Sequence, residues 1–269
     1  MSMEAPPTPL PVPSAELIAE IGENLAALRK RIAEVCDRAR RCPSTVELMA
    51  VSKVHPAEAL VAAFQAGQRL FGENRVQEFA AKREALAAYY SGPAVSASGP
   101  DEAGKPTRPI MHLIGPLQSN KTTKAAELFD AMDSLDSLKI AQRLNSTAAA
   151  LGKVIPVLIE VKLSHEETKH GLPPEELGSL LASLAPLENL RVSGLMTVPP
   201  LDEAPEAARP YFRQLRELRD AHAKQYQSFT ELSMGMSGDF EVAIEEGSTC
   251  VRIGTAIFGR RTVPSAEPV

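Results

Sequence analysis

The chain has 269 residues, 44% of them hydrophobic, which suffices for one large domain or two small ones around a substantial core and excludes disorder throughout. Its 29 Lys and Arg against 34 Asp and Glu leave a net charge of −5, with aromatics at 4% and no Trp, so neither phosphate-backbone binding nor base stacking is expected and nucleic acid is not a partner. Cys36, Cys42 and Cys250 form no C-x-x-C pair and lack companion histidines at ligand spacing, which argues against a disulfide framework and against a metal.

Residues 1–13, MSMEAPPTPLPVP, read as a flexible Pro-rich tail. The basic end and apolar core of a secretory peptide are missing, and no run of about 18 apolar residues occurs, so a cytoplasmic protein without membrane contact is expected. From Ser14, a plausible N-cap, Leu17, Ile21, Leu25, Leu28, Ile32 and Val35 recur at the spacing of one helical face. Short apolar runs then alternate with helical patterns: VELMAVS (46–52) and a helix over 56–66; QRLFGE (68–73) and 76–90; PIMHLIG (109–115) and 119–128; DAMDSLD (130–136) and 137–149. The rhythm continues with VIPVLIEVKL (154–163) and 174–184, LRVSGLMTV (190–198) and 203–226, FTELSMGM (229–236) and 239–246, and VRIGTAIFG (251–259).

Strands separated by helices imply parallel crossovers, and runs such as VIPVLI imply burial on both faces. Eight such units fit a single (β/α)8 TIM barrel over 14–261 with an extra N-terminal helix. An open doubly wound sheet is the alternative, but its G-x-G-x-x-G is replaced by VSKVHPAE after the first strand. The Gly-, Pro- and Ser-rich stretch 91–109 reads as a disordered insertion before the third strand, and 262–269 as a short tail. Gly99 to Lys105 matches part of a nucleotide-binding loop, but Pro106 stands where a Ser or Thr would hold magnesium.

In such a barrel the chemistry lies where strands end and loops begin. Alternation along MAVSK puts Met49, Val51 and Lys53 on one side. Lys53 in the mouth would be a partly desolvated amine, nucleophilic toward aldehydes; an exposed strand-end lysine is the other reading, and position alone does not decide. SMGMSGD (233–239) and GSTCVRIGT (247–255) supply glycines, Ser237, Ser248 and Thr255 near the ends of the last two strands, which favour a phosphate site together, although each alone is more readily a turn. Arg252, between Val251 and Ile253, needs an anion or acceptor if it points inward. His165 and His170 miss the H-E-x-x-H spacing, Gly235, Ser237 and Gly238 miss a nucleophile elbow, and His112 and His222 read as packing or surface residues.

AVSK (50–53), FGENRVQE (71–78), HLIGPLQSNK (112–121), GLMTVPP (194–200), LSMGMSGDF (232–240) and GSTCVRIGTAIFG (247–259) together resemble the successive signatures of the pyridoxal phosphate homeostasis protein family. The resemblance runs in order from about residue 14 to 260. It implies a barrel similar to the N-terminal domain of alanine racemase, holding pyridoxal 5′-phosphate (PLP) as a Schiff base on Lys53. By the same carry-over the phosphate meets the segment Met234, Gly235, Met236, Ser237 and the pair Gly254 and Thr255. Arg252 faces the pyridine nitrogen, Asn74 lies near the ring, and Met196 and Thr197 line the pocket. Lys162 and His165 depart from the family pattern near the fifth strand.

The resemblance implies a monomeric, non-catalytic binding protein that limits free PLP and passes it to PLP-dependent apoenzymes. With an arginine on it the ring nitrogen stays unprotonated, and the chain ends too soon after strand eight for the extra β domain that supplies a racemase with its second acid/base residue. A weak racemase-like PLP enzyme is the alternative, and a cofactor-free aldolase barrel, with Lys53 attacking a sugar carbonyl, ranks last.

Overall fold

The helix expected after Ser14 forms as α1, Ala15–Arg38. Ser14 Oγ accepts a hydrogen bond from the Leu17 N–H at 3.2 Å, which satisfies one of the first-turn donors. Ile21, Leu25, Leu28, Ile32 and Val35 are buried, Leu17 is partly buried, and Cys36 joins the buried face. The computed structural model describes residues 12–86, 108–164, 166, 170–200 and 204–259. Most of the expected N-terminal tail, nearly all of the insertion at 91–109, the Gly99–Lys105 stretch, His165 and the tail 262–269 therefore lie outside the described residues.

Eight strands follow: β1 Glu47–Val51, β2 Leu70–Glu73, β3 Ile110–Leu113, β4 Ala131–Leu135, β5 Ile155–Glu160, β6 Leu190–Met196, β7 Glu231–Ser233 and β8 Cys250–Ile253. Each pairs in parallel with the next, and β8 returns to β1 through Glu47↔Cys250, Leu48↔Val251, Met49↔Arg252 and Ala50↔Ile253. That closure removes the open-sheet alternative, and the fold is the expected TIM barrel preceded by a helix. The outer helices are α2 Ala57–Gln65, α3 Val76–Ala85, α4 Thr122–Leu128, α5 Leu138–Ala150, α6 Leu177–Leu184, α7 Arg209–Ala223, α8 Phe240–Glu245 and α9 Thr255–Phe258. The N-terminal helix packs on α2, α8 and α9, and Asn24 Nδ2 donates to the Ile257 carbonyl at 3.0 Å, fastening it to the end of the barrel.

Burial along the strands is nearly continuous, as covering on both faces requires, while the side a residue faces alternates with a period of two. Leu48 and Ala50 belong to the core between sheet and helices, whereas Met49 is buried outside that cluster and its register partner is Arg252. The strands expected over 229–236 and 154–163 are shorter, at Glu231–Ser233 and Ile155–Glu160, and two further elements differ for local reasons. The helix expected over 203–226 starts at Arg209, after a 3-10 turn at Pro205–Ala208, because Pro210 lacks an N–H and is tolerated only in a first turn. The apolar run 251–259 is not one strand: β8 stops at Ile253, Gly254 turns to φ −112 and ψ −76, and its carbonyl accepts from Ile257 and Phe258 as α9 begins.

At the amino-terminal end of the barrel a cavity of about 880 Å³ is lined in part by His112, Asp133, Glu231 and Cys250. His112 thus lies inside the barrel mouth, with Nδ1 3.0 Å from Asp133 Oδ1. Burial works against a charged imidazole, but the field and hydrogen bond of Asp133, with Asp130 and Glu231 behind it, outweigh burial and raise the pKa above its ordinary value. A raised folded-state pKa contributes stability that is fully present below the unfolded value of about 6.5 and is lost as pH rises through the folded value. The stability advantage of the native chain over a His112→Gln variant is therefore expected to shrink from about pH 6 upward. Denaturant midpoints across that range test it, and a constant difference would contradict the charged pair.

Candidate functional site

At the opposite end, where the carboxyl ends of parallel strands place functional groups, a cleft of about 460 Å³ opens. Its walls come from the residues that follow successive strands: Lys53 after β1, Asn74 after β2, Ile114 after β3, Val198 and Pro200 after β6, the loop Met236–Asp239 after β7, and Gly254 and Thr255 after β8, with Val51 and Arg252 from the strands themselves. Lys53 is half-buried here, on the same side as Val51, as strand alternation requires. Ser52 turns the other way and its Oγ donates to Glu73 Oε1 at 2.7 Å.

Arg252 is 4% exposed. Its Nη1 donates to Ser233 Oγ at 2.7 Å and its Nη2 to the Thr197 carbonyl at 2.8 Å, so the group is held by neutral acceptors on β7 and just past β6. Burial pulls its pKa below the ordinary guanidinium value, opposed by Cys250, Asp133, Glu160 and Asp239. It remains a donor of hydrogen bonds, with N–H groups beyond the two already used.

The loop after β7 is shaped by Gly235 at φ +96, whose carbonyl accepts from the Arg252 N–H at 2.9 Å. A Cβ on Gly235 would meet the Ala243 Cβ at 2.6 Å and the Phe240 Cα at 3.0 Å, so both the backbone region and the space call for glycine. Asp239 Oδ1 accepts from the Met236 N–H at 2.6 Å and draws the loop into a turn. Burial raises the Asp239 pKa, against the Met236 hydrogen bond and the Arg252 charge. The Ser237 and Gly238 N–H groups make no backbone hydrogen bond among the described residues. With the Ser237 and Thr255 hydroxyls they offer donors to an anion.

Six of the sequence-derived positions, Lys53, Asn74, Ser237, Arg252, Gly254 and Thr255, meet in this one cleft. Four others lie behind its surface. Met196 and Met234 are fully buried, Gly235 shapes the loop, and Thr197 is 1% exposed with its hydroxyl donating to the Val161 carbonyl at 2.8 Å. Ser248 also faces inward, with Oγ 2.8 Å from the Met234 carbonyl. Lys162 lines a separate surface hollow with Ser164 and Pro173, not the Lys53 cleft. Asp239 was not singled out from the sequence, although a Gly-Asp pair opening a helix is a capping signal. Glu73 and Lys82, whose carboxylate and ammonium lie 2.6 Å apart behind Ser52, were also missed.

The alanine racemase N-terminal domain family matches residues 24–262. A pyridoxal phosphate homeostasis protein of Aquifex aeolicus is 42% identical over 240 residues, covering 89% of this chain and 97% of that protein. Another from Escherichia coli K12 is 42% identical over 248 residues, covering 90% and 97%. PipY of Synechococcus elongatus PCC7942, solved with PLP bound, superposes with a TM-score of 0.74 at 38% identity, covering 89% of this chain and 100% of that one. An alanine racemase from Bartonella henselae with covalently bound pyridoxal phosphate gives 0.59 at 16% identity over 92% of this chain and 62% of the other, a likeness of fold. Matched at about 40% identity over some nine-tenths of its length, the chain belongs to the pyridoxal phosphate homeostasis protein family.

Proposed function

We propose that this chain binds PLP in the Lys53 cleft, holds it reversibly, and releases it to PLP-dependent apoenzymes without itself turning over amino acids. The observation that carries the reading is the convergence of an amine, a buried guanidinium and a loop rich in N–H and hydroxyl donors on one cleft. That set fits an aldehyde, a pyridine nitrogen and a phosphate. The PLP-bound relative at 38% identity supports the same ligand.

Lys53 supplies the reversible link. Its unprotonated amine adds to the aldehyde carbon; a C=N bond forms, and the aldehyde oxygen leaves as water with the two amine hydrogens. The Ser237 and Thr255 hydroxyls and the Ser237 and Gly238 N–H groups select the phosphorylated form of the vitamin. Arg252 donates a hydrogen bond but gives up no proton, so a ring nitrogen facing it stays unprotonated. PLP acts as an electron sink for carbanions, and does so best with that nitrogen protonated. Among the described lining residues the other titratable group is Asp239, whose carboxylate is engaged by the Met236 N–H.

The test is a titration of apo-protein with PLP, followed by mixing with a PLP-dependent apoenzyme and, separately, with a panel of amino acids. Stoichiometric uptake, recovery of the apoenzyme's activity and no racemisation, transamination or elimination are expected. Turnover of any amino acid that Lys53→Ala removes would overturn the carrier reading in favour of an enzyme.

A further inference from the structure

Behind Lys53, on the outer side of the barrel, Ser52 is held at every polar atom. Its N–H donates to the Gly72 carbonyl at 3.0 Å, and its Oγ donates to Glu73 Oε1 at 2.7 Å. Its carbonyl accepts from the His55 N–H at 3.2 Å and from Lys82 Nζ at 2.7 Å. Lys82 Nζ also reaches Glu73 Oε1 at 2.6 Å. The Ser52 carbonyl belongs to the peptide unit that carries the Lys53 nitrogen, so holding it places the Lys53 Cα and narrows the directions in which its side chain can leave the backbone.

Two costs are attached to this arrangement. Val54, next to Lys53, has φ +60, a left-handed conformation that a β-branched residue adopts at a cost of about 1–2 kcal/mol, and its side chain is 54% exposed, so packing does not offset the strain. Glu73 is fully buried, yet its Oε2 has no hydrogen-bond partner among the described residues, and a buried ion pair with an unsatisfied oxygen is a poor source of stability. Strain and unsatisfied buried groups cluster where geometry serves a function.

We infer that Glu73 and Lys82 are positioning residues: they line no part of the cleft, but through Ser52 they clamp the Lys53 turn so that its amine is aimed at a carbonyl carbon. The inference rests on the PLP reading of the cleft. Misplacing a reacting atom by about 1 Å costs up to about 100-fold, whereas the phosphate donors come from the loop after β7 and from Gly254 and Thr255 after β8, which neither Glu73 nor Lys82 supports.

The experiment compares PLP with pyridoxine 5′-phosphate, which carries the same phosphate and ring but no aldehyde. Lys82→Met is expected to weaken PLP binding by about tenfold or more and slow borohydride-trappable attachment to Lys53. Pyridoxine 5′-phosphate affinity should stay within about twofold, and Lys82→Arg should restore much of the loss. Ser52→Ala, which keeps the Lys82 contact to the backbone, should show a smaller loss of the same kind and serves as the readout if Lys82→Met does not fold. Equal affinities for PLP in the variant and native chains, or parallel losses for both ligands, would overturn the clamp. Failure of the native chain itself to trap PLP would instead remove the cofactor reading.

Discussion

Replacing Lys53 by Ala is expected to abolish borohydride fixation of PLP. In the proposed link the amine is the nucleophile, and no other lysine lines the cleft among the described residues. What survives is non-covalent binding through Ser237, Gly254, Thr255 and Arg252, weaker than the native affinity by at least about tenfold, or about 1.4 kcal/mol. Folding should be unaffected, because the side chain is half-buried at a loop and not in the core. Intact-protein mass before and after reduction, with thermal unfolding as the control, separates these effects. A variant that folds and still gains a stable PLP adduct on reduction would refute the assignment of the amine.

Gly115→Ala should strike both stability and the site. A Cβ at Gly115 would run into the carbonyl oxygen of Asn74, with the Asn74 Cα at 2.9 Å and its carbonyl carbon at 3.0 Å. Gly115 cannot easily retreat, because Ser134 Oγ holds its carbonyl at 2.6 Å from the β4 side. The end of β2 must therefore move, and Asn74 is a wall of the cleft. Overpacking of this kind costs about 1–3 kcal/mol, and we expect that loss in denaturant melts together with roughly tenfold weaker PLP binding, since Asn74, which is proposed to lie near the ring, is displaced. Native affinity in a destabilised variant would place Asn74 away from the ligand.

Legibility in the sequence followed the physics of each feature. The barrel was readable because apolar runs of strand length alternate with helical periodicity eight times, and closure is then the economical way to pair parallel strands. Arg252 stood out because a cation between apolar strand residues demands a partner wherever it points, whereas position alone left Lys53 undecided and only the resemblance gave it a role. The end of β8 was not, since TAIF is as apolar as VRI and hydropathy does not distinguish a short buried helix from a strand. Thr197 was assigned to the pocket by resemblance, yet its hydroxyl is drawn to Val161, across a β5–β6 register that shifts between Val157 and Leu158. No local pattern encodes such a shift. The Glu73–Lys82 pair joins the end of β2 to α3, and only the tertiary approach of those elements reveals that both serve Ser52.

In the proposed chemistry one particular amine, just past the carboxyl end of β1, takes the aldehyde. Reduction of PLP-loaded native protein with borohydride, followed by proteolysis and peptide mapping, locates that amine. A single pyridoxyl-modified peptide bearing the label on Lys53 is predicted; label on Lys162, Lys121 or any other lysine, with Lys53 unmodified, would contradict it.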